Sequence, residues 1–298
     1  MTKRIVVAGA SGLIGSALVE ALVERGDDAV RLVRKPARHG EVPWDPASGV
    51  LDSSALNGAA VVVCLNGAGI GDKRWTPDRK EELRRSRIDP VGLLAETMSK
   101  MESPPRTFIA GSATGFYGDT GDDVVDETAP IGDDFLAVLC GDWEAASAPA
   151  RDAGVRVVNM RTGIVLASNG GALAPLLPIF KAGLGGPIGG GQQWWSWISL
   201  ADHVRAMLML IDGETVGPVN LVAPNPVRQR DFAKALGDQL HRPAVLPAPR
   251  LAVKARLGKE LAEAIGFASQ RVEPAVLEGS GFEFDHPDIS KALSAVFS

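Results

Sequence analysis

Cysteine and histidine are scarce in this chain of 298 residues. Its two cysteines, Cys64 and Cys140, each lie in an apolar stretch, which argues against a secreted disulfide scaffold and for a reducing compartment. The histidines are too dispersed to give metal-ligand spacings with either cysteine or with one another. They are His39, His203, His241 and His286. We therefore expect a cytoplasmic protein without a metal site.

Long apolar runs and a net positive charge are also missing. No apolar segment approaches the roughly 20 residues of a membrane span, and the run that follows Thr2-Lys3-Arg4 stops at Gly9, which is too short for a signal peptide. The formal net charge is -5, with both signs interspersed, so no basic surface is available for a nucleic acid backbone. We expect neither a membrane nor a nucleic acid as a partner.

What the sequence does contain is an alternation of short apolar runs and amphipathic segments. It predicts strands at Arg4–Ala8, 29–33, 59–65, 107–110 and 155–160, with helices between them. Such an order is typical of a parallel sheet with right-handed crossovers. The fold class that we predict is α/β, with a Rossmann-type doubly wound sheet and a smaller C-terminal substrate lobe.

The composition of the sequence changes after about residue 167. Residues 183–191 include six glycines and precede Trp194, Trp195 and Trp197, a composition that indicates a loop-rich lobe with aromatic anchors. We assign residues 1–167 to a dinucleotide-binding domain, to whose sheet residues 198–222 return, and residues 168–197 and 223–298 to a substrate-facing lobe with a C-terminal module. Smaller features are also predicted, namely helices at 135–153, 201–211 and 229–240, a strand at 218–222, a kink or restart of the helix at Pro90 and a linker around Pro243, Pro247 and Pro249.

A glycine motif carries the cofactor prediction. Between the first strand and its helix stands Gly9-Ala10-Ser11-Gly12-Leu13-Ile14-Gly15, which fits G-x-x-G-x-x-G in the context where that spacing has meaning. Gly9 and Gly12 would allow a tight turn and a close approach to a pyrophosphate, and Gly15 would let the helix pack on the sheet. The competing interpretation is a glycine turn without a ligand.

The end of the second strand indicates which dinucleotide is bound. An NAD-selective site needs a carboxylate there for the ribose hydroxyl, whereas this chain has Val33-Arg34-Lys35, with Arg38 close behind. Positive charge favours a 2′-phosphate and therefore NADP(H) over NAD(H). The alternative is that Arg34 and Lys35 form an ordinary solvated strand end.

Several separate motifs together resemble one family. They are the glycine motif, Leu65-Asn66-Gly67-Ala68-Gly69, Arg74-Trp75, Ser86-Arg87-Ile88, Ser112-Ala113-Thr114-Gly115-Phe116-Tyr117-Gly118, Trp143-Glu144, Arg161-Thr162-Gly163-Ile164-Val165-Leu166, Gln193 with Ser196-Trp197-Ile198, and Ser269-Gln270-Arg271-Val272 with Pro274, Gly281-Phe282 and Phe284. Over nearly its whole length the chain resembles the atypical extended short-chain dehydrogenase/reductase superfamily, in its NAD-dependent epimerase-like branch with the characteristic C-terminal module.

The resemblance implies further cofactor contacts. Besides Ser11, Leu13 and Ile14 in the glycine motif, it implies an NADP(H) site that uses Arg34, Leu65, Asn66, Gly67, Glu82 and Arg87. Taken alone, Glu82 and Arg87 would be assigned to the solvated face of a charged helix. Thr162, just after the fifth strand, would lie near the nicotinamide because ligands of such sheets bind at the carboxyl ends of strands.

The chain departs from the superfamily at the residues that usually do acid–base chemistry. Typical members carry Tyr-x-x-x-Lys, in which the lysine and the oxidised nicotinamide lower the pKa of the tyrosine. Aligning Glu144 with the acidic residue that follows this motif puts Leu136 at the tyrosine position and Cys140 at the lysine position. Since Tyr117 is the only tyrosine, the usual proton relay is excluded unless another residue substitutes.

Candidates for catalysis and substrate binding remain, each with a structural alternative. We predict catalytic roles for Ser112 and Tyr117, which could instead be a turn hydroxyl and a packing aromatic. Gln193 and Trp195 are predicted to contact substrate. A run of acidic residues near the predicted site, here called the acidic loop, could hold a general base, although such runs usually face solvent; it comprises Asp119, Asp122, Asp123, Asp126 and Glu127. The resemblance makes Glu127 the best candidate among them. Cys140 could serve as an acid, and the alternative is a small buried hydrophobe.

Two functions fit these residues. The first is an NADP-dependent oxidoreductase or epimerase that acts on a carbonyl or sugar-nucleotide-like small molecule, with the cofactor doing the hydride chemistry. The second is a non-catalytic NADP(H)-binding protein, such as a redox-linked regulator or scaffold. The oligomeric state stays open.

Overall fold

The computed structural model describes residues 2–34 and 37–298, and its centre is a parallel sheet. In chain order the strands are β1 (Arg4–Ala8), β2 (Asp28–Val33), β3 (Glu41–Pro43), β4 (Val61–Cys64), β5 (Thr107–Ala113), β6 (Val124–Val125), β7 (Arg156–Thr162), β8 (Ile164–Leu166), β9 (Trp194–Trp195), β10 (Trp197–Ser199), β11 (Gly217–Leu221), β12 (Val227–Arg228) and β13 (Arg271–Val272). Seven of them form the main sheet in the order β3-β2-β1-β4-β5-β7-β11, with every neighbouring pair parallel. The predicted Rossmann-type sheet is confirmed.

Helices cover both faces of this sheet. They are α1 (Leu13–Glu24), α2 (Pro77–Ser99), α3 (Phe135–Ala145), α4 (Ala148–Asp152), α5 (Leu177–Lys181), α6 (Leu200–Asp212), α7 (Gln229–Gln239), α8 (Arg250–Leu257), α9 (Lys259–Leu261), α10 (Ala275–Gly279) and α11 (Ile289–Phe297), with 3₁₀ turns at Ser53–Leu56 and Thr114–Tyr117 and a π-helical turn at Ala262–Phe267.

The two-residue period of the strands divides the core into two layers. Ile5 and Val7 of β1 point toward α1 and α6, whereas Val6 and Ala8 point toward the layer that contains α2. Both sets are fully buried. A strand covered on both faces needs an unbroken apolar run rather than an alternating one, which is the pattern that the sequence shows.

A second core lies beside the sheet and joins the glycine-rich segment to the last third of the chain. Trp195, Trp197 and Phe232 are buried in it, together with Leu293 of α11. Short pairs of strands connect the segments through backbone hydrogen bonds: β10 pairs with β8, β12 with β9, and β13 with β6. The lobe is therefore built on the carboxyl side of the sheet, where β7 and β11 end.

Several boundaries differ from those expected. The helix predicted at 135–153 is divided into α3 and α4, and α2 is one helix that contains Pro90 and does not restart there. The short edge strand β3 was not predicted, since it ends in Pro43, which suits an edge but not a central strand. The segment predicted as a linker packs against the glycine-rich loop, where the Ala248 amide donates to Pro187 O at 2.8 Å.

Candidate cofactor and substrate site

The glycine turn lies between β1 and α1, at the carboxyl edge of the sheet. Gly9 adopts a φ of +79°, and a Cβ there would stand 2.7 Å from the carbonyl carbon of Leu65, which follows β4. Only glycine permits both the left-handed conformation and this approach of two strand ends. The turn thus sits at the point where the strand order reverses between β1 and β4, which is where ligands of doubly wound sheets bind.

Gly12 and Gly15 serve different purposes. A Cβ on Gly15 would be 2.2 Å from Gly9 O, so this glycine lets the helix pack on its own turn. A Cβ on Gly12 would meet only Gly9 O, at 3.5 Å, which is an ordinary contact. The protein itself does not require glycine at position 12, and the space there is open to a ligand. Gly12 is also the N-cap of α1 and offers no side-chain hydrogen bond, which leaves the first N–H groups of the helix for an anion.

On one side of this turn is a polar cavity of about 650 Å³, here called the Arg34 cavity. Arg34, Asn66, Gly67 and Glu82 line it, as the sequence predicts for cofactor residues. Glu82 is exposed, and a hydrogen bond from Arg79 lowers the pKa of its carboxyl group. Lys35 lies outside the described residues.

Asp45 is a lining residue of the Arg34 cavity that the sequence analysis missed. Hydrogen bonding from Ser48 is the largest influence that lowers the pKa of its carboxyl group, and the charge of Arg34 contributes. The signal was available in Trp44-Asp45-Pro46, a buried aromatic followed by turn residues, but it depended on finding β3.

On the other side of the turn is a cavity of about 440 Å³, here called the apolar cavity. Among the predicted residues, Ile14, Arg87, Ser112, Thr162 and Trp195 line it. The wall is completed by residues that were not predicted as site residues, mostly apolar: Ile70, Leu136, Leu139, Cys140, Trp143, Ile164, Trp194 and Ile265. The volume falls in the range of small-molecule pockets.

Arg87 is the cation of this wall. Its guanidinium donates to Ala68 O at 2.8 Å and to Leu83 O at 3.1 Å, and it lies over the ring of Trp143. Burial lowers the pKa of Arg87 to about 10, and the charge of Arg79 acts in the same direction. Arg87 is therefore buried at the wall of the apolar cavity and does not lie on a solvated face. Its contact with the cofactor stays a prediction.

Ser112 faces the cavity from the end of β5, and its hydroxyl already donates a hydrogen bond within the protein. Ser112 Oγ donates to Glu144 Oε1 at 2.7 Å. Glu144 in turn is held by Arg161, whose Nε and second terminal nitrogen lie 2.8 and 3.0 Å from the two carboxylate oxygens. Burial opposes charge on Arg161, but hydrogen bonds to Glu144 and Tyr117 hold its pKa above the ordinary value. Ser112 can therefore accept a hydrogen bond from a ligand more readily than it can donate one.

Tyr117 is placed behind this network rather than at the cavity. Its hydroxyl donates to Asn220 Oδ1 at 2.6 Å and accepts from Arg161 at 3.1 Å, and only 4% of the residue is exposed. Burial raises the pKa of the phenol. The described residues that line the cavity do not include Tyr117, so the direct substrate contact expected of it would require the side chain to move.

Glu127 serves a structural connection. Its Oε1 accepts from the amide of Asn220 at 2.9 Å and from that of Val276 at 3.3 Å. These bonds tie the acidic loop to β11 and to the start of α10. Glu127 is not among the described residues that line the apolar cavity, so its carboxylate does not reach a ligand there.

Thr162 joins the cavity to a buried imidazole. Its Oγ1 lies 3.1 Å from Nε2 of His203, and His203 is fully buried. Burial lowers the pKa of His203 to about 3, so the ring is neutral at physiological pH. The neutral imidazole therefore hydrogen-bonds to Thr162 but does not act as a general acid.

The positions aligned with the usual tyrosine and lysine both face the apolar cavity. Leu136 and Cys140 lie one turn apart on α3 and line the wall beside Ser112. Burial raises the pKa of the Cys140 thiol to about 12, with the charge of Glu144 acting in the same direction. A thiol with this pKa is a weak acid at neutral pH, so Cys140 fits the role of a small buried hydrophobe.

The C-terminal module closes the cavity. Gln270 lines it, accepts from Thr114 Oγ1 at 2.9 Å and donates to Gly118 O at 3.1 Å. Gln193, predicted to contact substrate, instead donates to Gly266 O at 2.7 Å, and the described lining residues do not include it. It anchors the module, whereas Trp195 reaches the cavity itself.

The part of the chain that the structure describes has neither a cluster of metal ligands nor a helix that could span a membrane. Within residues 2–34 and 37–298 there is no group of three His, Cys, Asp or Glu side chains that could hold a metal ion. Over the same ranges, each helix is too short or too polar to cross a membrane.

Comparison with known proteins confirms the resemblance drawn from the motifs. Residues 5–221 match the model of the NAD dependent epimerase/dehydratase family, and residues 248–296 match a domain of unknown function, DUF1731. An epimerase family protein of Mycobacterium leprae is 44% identical over 292 residues, which are 97% of this chain and 94% of that protein. The epimerase family protein SDR39U1 of Homo sapiens is 33% identical over 297 residues, covering 98% of this chain and 99% of the relative.

Solved structures agree with the sequence matches. The crystal structure of human epimerase family protein SDR39U1 (isoform 2) with NADPH has a TM-score of 0.90 and 32% identity, covering 98% of each chain. A nucleoside-diphosphate sugar epimerase from Corynebacterium glutamicum has a TM-score of 0.80 and 37% identity, covering 99% of this chain and 59% of that chain. The chain thus belongs to the NAD dependent epimerase/dehydratase family, and its C-terminal module is a DUF1731 domain.

Proposed function

We propose that this protein binds NADP(H) along the carboxyl edge of its sheet and transfers hydride between the cofactor and a small carbonyl compound. The observation that carries the proposal is the pair of cavities on either side of the glycine turn. A dinucleotide has a polar adenosine half and a less polar nicotinamide half, which are joined by a pyrophosphate. The protein offers matching surfaces in the same order: the Arg34 cavity for the adenosine half, the uncapped N-terminus of α1 for the pyrophosphate, and the apolar cavity for the nicotinamide half.

The residues present fit this cofactor. Gly12 leaves room for a pyrophosphate, and the N–H groups at the start of α1 would hold it. Arg34 would pair with a 2′-phosphate. The human relative was crystallised with NADPH, which supports the same preference here. When bound, the cofactor supplies the hydride chemistry.

The protein's own groups position and shield the reacting partners. The walls of Leu136, Ile265 and Trp195 exclude water from the apolar cavity. Ser112 presents a hydroxyl oxygen whose proton is held by Glu144, so it orients a ligand N–H or O–H rather than polarising a carbonyl. Thr162, backed by His203, offers the second hydroxyl at the same wall.

A non-catalytic NADP(H)-binding protein is the second candidate, and one observation favours it. The superfamily's Tyr-x-x-x-Lys pair is replaced at the cavity wall by Leu136 and Cys140, and neither of these side chains supplies an acid near neutral pH. Hydride transfer in such a site takes its proton from solvent, or does not occur.

One variant and a matched control test how the cofactor is selected. Replacing Arg34 by Ala should weaken NADPH at least about tenfold, near 1.4 kcal/mol, and change NADH affinity little. Arg31→Ala, an exposed arginine in the middle of β2, is the matched control and should change neither affinity. If Arg34→Ala lost the same affinity for NADPH and for NADH, the 2′-phosphate assignment would be refuted. Tight NADPH binding without oxidation by any carbonyl compound would favour the non-catalytic candidate.

A further inference from the structure

The apolar cavity offers a ligand mainly carbon surfaces. Leu136 and Leu139 come from α3, Trp194 and Trp195 from β9, and Ile265 from the DUF1731 domain. Indole faces favour flat, apolar partners that can stack on them. A ligand rich in hydroxyl groups would lose its hydration here without equivalent replacement.

Most polar groups of the wall are hydrogen-bonded within the protein. Of the four hydroxyls that line the cavity, three donate their protons internally: Ser112 to Glu144 Oε1, Thr114 to Gln270 Oε1 at 2.9 Å, and Ser196 to Gln270 O at 2.8 Å. These three remain acceptors, but they are not free donors for the oxygen atoms of a sugar. The fourth, Thr162, lies 3.1 Å from His203 Nε2, and a single hydroxyl cannot satisfy the several hydroxyl groups of a sugar.

The positive charge at the wall also fits a sugar nucleotide poorly. Arg87 is the cation among the described lining residues, and its terminal nitrogens already donate to Ala68 O and Leu83 O. The diphosphate of a sugar nucleotide carries two negative charges and is normally met by arginines, lysines or open helix starts. The open helix start of α1 is the one assigned above to the cofactor.

The lack of an acid narrows the reaction that such a wall can support. Reduction of an ordinary ketone produces an alkoxide, which needs a proton donor in the transition state. Reduction of a quinone produces a phenolate-type anion, which is stabilised by its ring and takes a proton from water. A site without Tyr and Lys can carry out the second reaction without a substitute acid.

We propose that the substrate of this site is a quinone, a planar and apolar two-electron acceptor, rather than a sugar nucleotide. This proposal rests on the proposed NADP(H)-dependent function. One hydride passes from the dihydronicotinamide to one carbonyl oxygen of the quinone, so a C–H bond of the cofactor breaks and an O–H bond forms. The aromatic anion that results carries its charge on the other quinone oxygen, which gains one proton from solvent. NADPH, quinone and a proton are converted to NADP⁺ and hydroquinone.

Binding is tested first, with menadione as the probe. Because Trp143, Trp194 and Trp195 line the cavity, menadione should quench tryptophan fluorescence of the cofactor-free protein with a saturable curve. Leu136→Gln should weaken this binding at least about tenfold, equivalent to 1.4 kcal/mol. Val138→Gln is the matched control, because Val138 lies on α3 and is 47% exposed. Equal quenching curves for wild type and Leu136→Gln would overturn the proposal.

Turnover is tested in the same preparations without oxygen. Mixing NADPH-loaded protein with menadione should produce one hydroquinone for each NADPH consumed, and Leu136→Gln should slow the reaction while Val138→Gln should not. Oxidation of NADPH by a 4-keto sugar nucleotide but not by menadione would overturn the quinone proposal and leave the proposed function standing. Failure of the wild-type protein to bind NADPH at all would instead overturn the proposed function.

Discussion

The hydroxyl of Thr162 lies 3.1 Å from Nε2 of His203, so a residue at the cavity wall is backed by a fully buried neutral imidazole. Nδ1 of His203 has no hydrogen-bond partner among the described residues. An unpaired acceptor costs less than an unpaired N–H donor in such a place, which favours the tautomer protonated at Nε2. In that tautomer His203 Nε2 donates to Thr162 Oγ1, and the Thr162 proton is left available for a ligand in the apolar cavity.

This buried histidine predicts how stability depends on pH. Its pKa is about 3 in the folded protein and near 6.5 when exposed, so unfolding takes up a proton between these values and stability falls as pH is lowered. For one histidine the loss between pH 7 and pH 5 is about 2 kcal/mol. Urea unfolding of wild type and His203→Leu at both pH values measures it, since other groups cancel in the difference. Parallel losses in both proteins would contradict the account.

The second and third glycines of the motif, Gly12 and Gly15, should respond differently to replacement by alanine. Gly15→Ala places a Cβ 2.2 Å from Gly9 O and should destabilise the protein by about 3 kcal/mol. Gly12→Ala meets only an ordinary contact, so it should fold normally and weaken NADPH binding at least about tenfold. Thermal unfolding and NADPH titration separate the two effects. A Gly12→Ala protein that binds NADPH like the wild type would rule out the pyrophosphate position.

Replacing Tyr117 by Phe tests whether this residue is structural. The variant removes one hydrogen-bond partner from Asn220 Oδ1 and one from Arg161, and we expect a loss of about 1–3 kcal/mol in unfolding free energy. Because Tyr117 is not among the described residues at the cavity, NADPH affinity and the single-turnover rate should stay within about threefold, less than 1 kcal/mol. A variant of normal stability that has lost turnover would restore the catalytic role predicted from the sequence.

A fully buried carboxylate joins the sheet domain to the end of the chain. Asp202 accepts from the amide of Asp285 at 3.0 Å and from that of His286 at 2.9 Å. Asp202→Ala should therefore speed hydrogen exchange at these amides and expose α11 to protease. Asp231→Ala, an exposed acidic residue in the first turn of α7, is the control. Unchanged exchange at residues 285 and 286 would show that other contacts hold the segment.

Local patterns predicted the sheet domain well because its information is local. The apolar run at β4 and the glycine spacing after β1 each report on a few neighbouring residues, and the structure places both where expected. The edge strand β3 was missed because three residues ending in Pro43 give too short a pattern.

The site was harder to predict because its walls come from distant segments. Ile265 and Gln270 reach the cavity only through packing of the DUF1731 domain, a relationship that spacing cannot show. Gln193 illustrates the opposite error: it stands beside the tryptophans in sequence, but its amide turns to Gly266 O. Asp202 is fully buried in the first turn of α6, behind the N-cap Ser199, although acidic residues in the first turn of a helix usually face solvent.

The most direct test of the account is energy transfer from tryptophan to bound NADPH. Three tryptophans line the apolar cavity, so a dihydronicotinamide held there should emit strongly when tryptophan is excited, and NADH should require at least about tenfold higher concentration. Gly12→Ala should require at least about tenfold more NADPH for the same signal. Emission that saturates at equal concentrations of NADPH and NADH, or a titration curve that is unchanged in Gly12→Ala, would contradict the proposed path of the cofactor across the glycine turn.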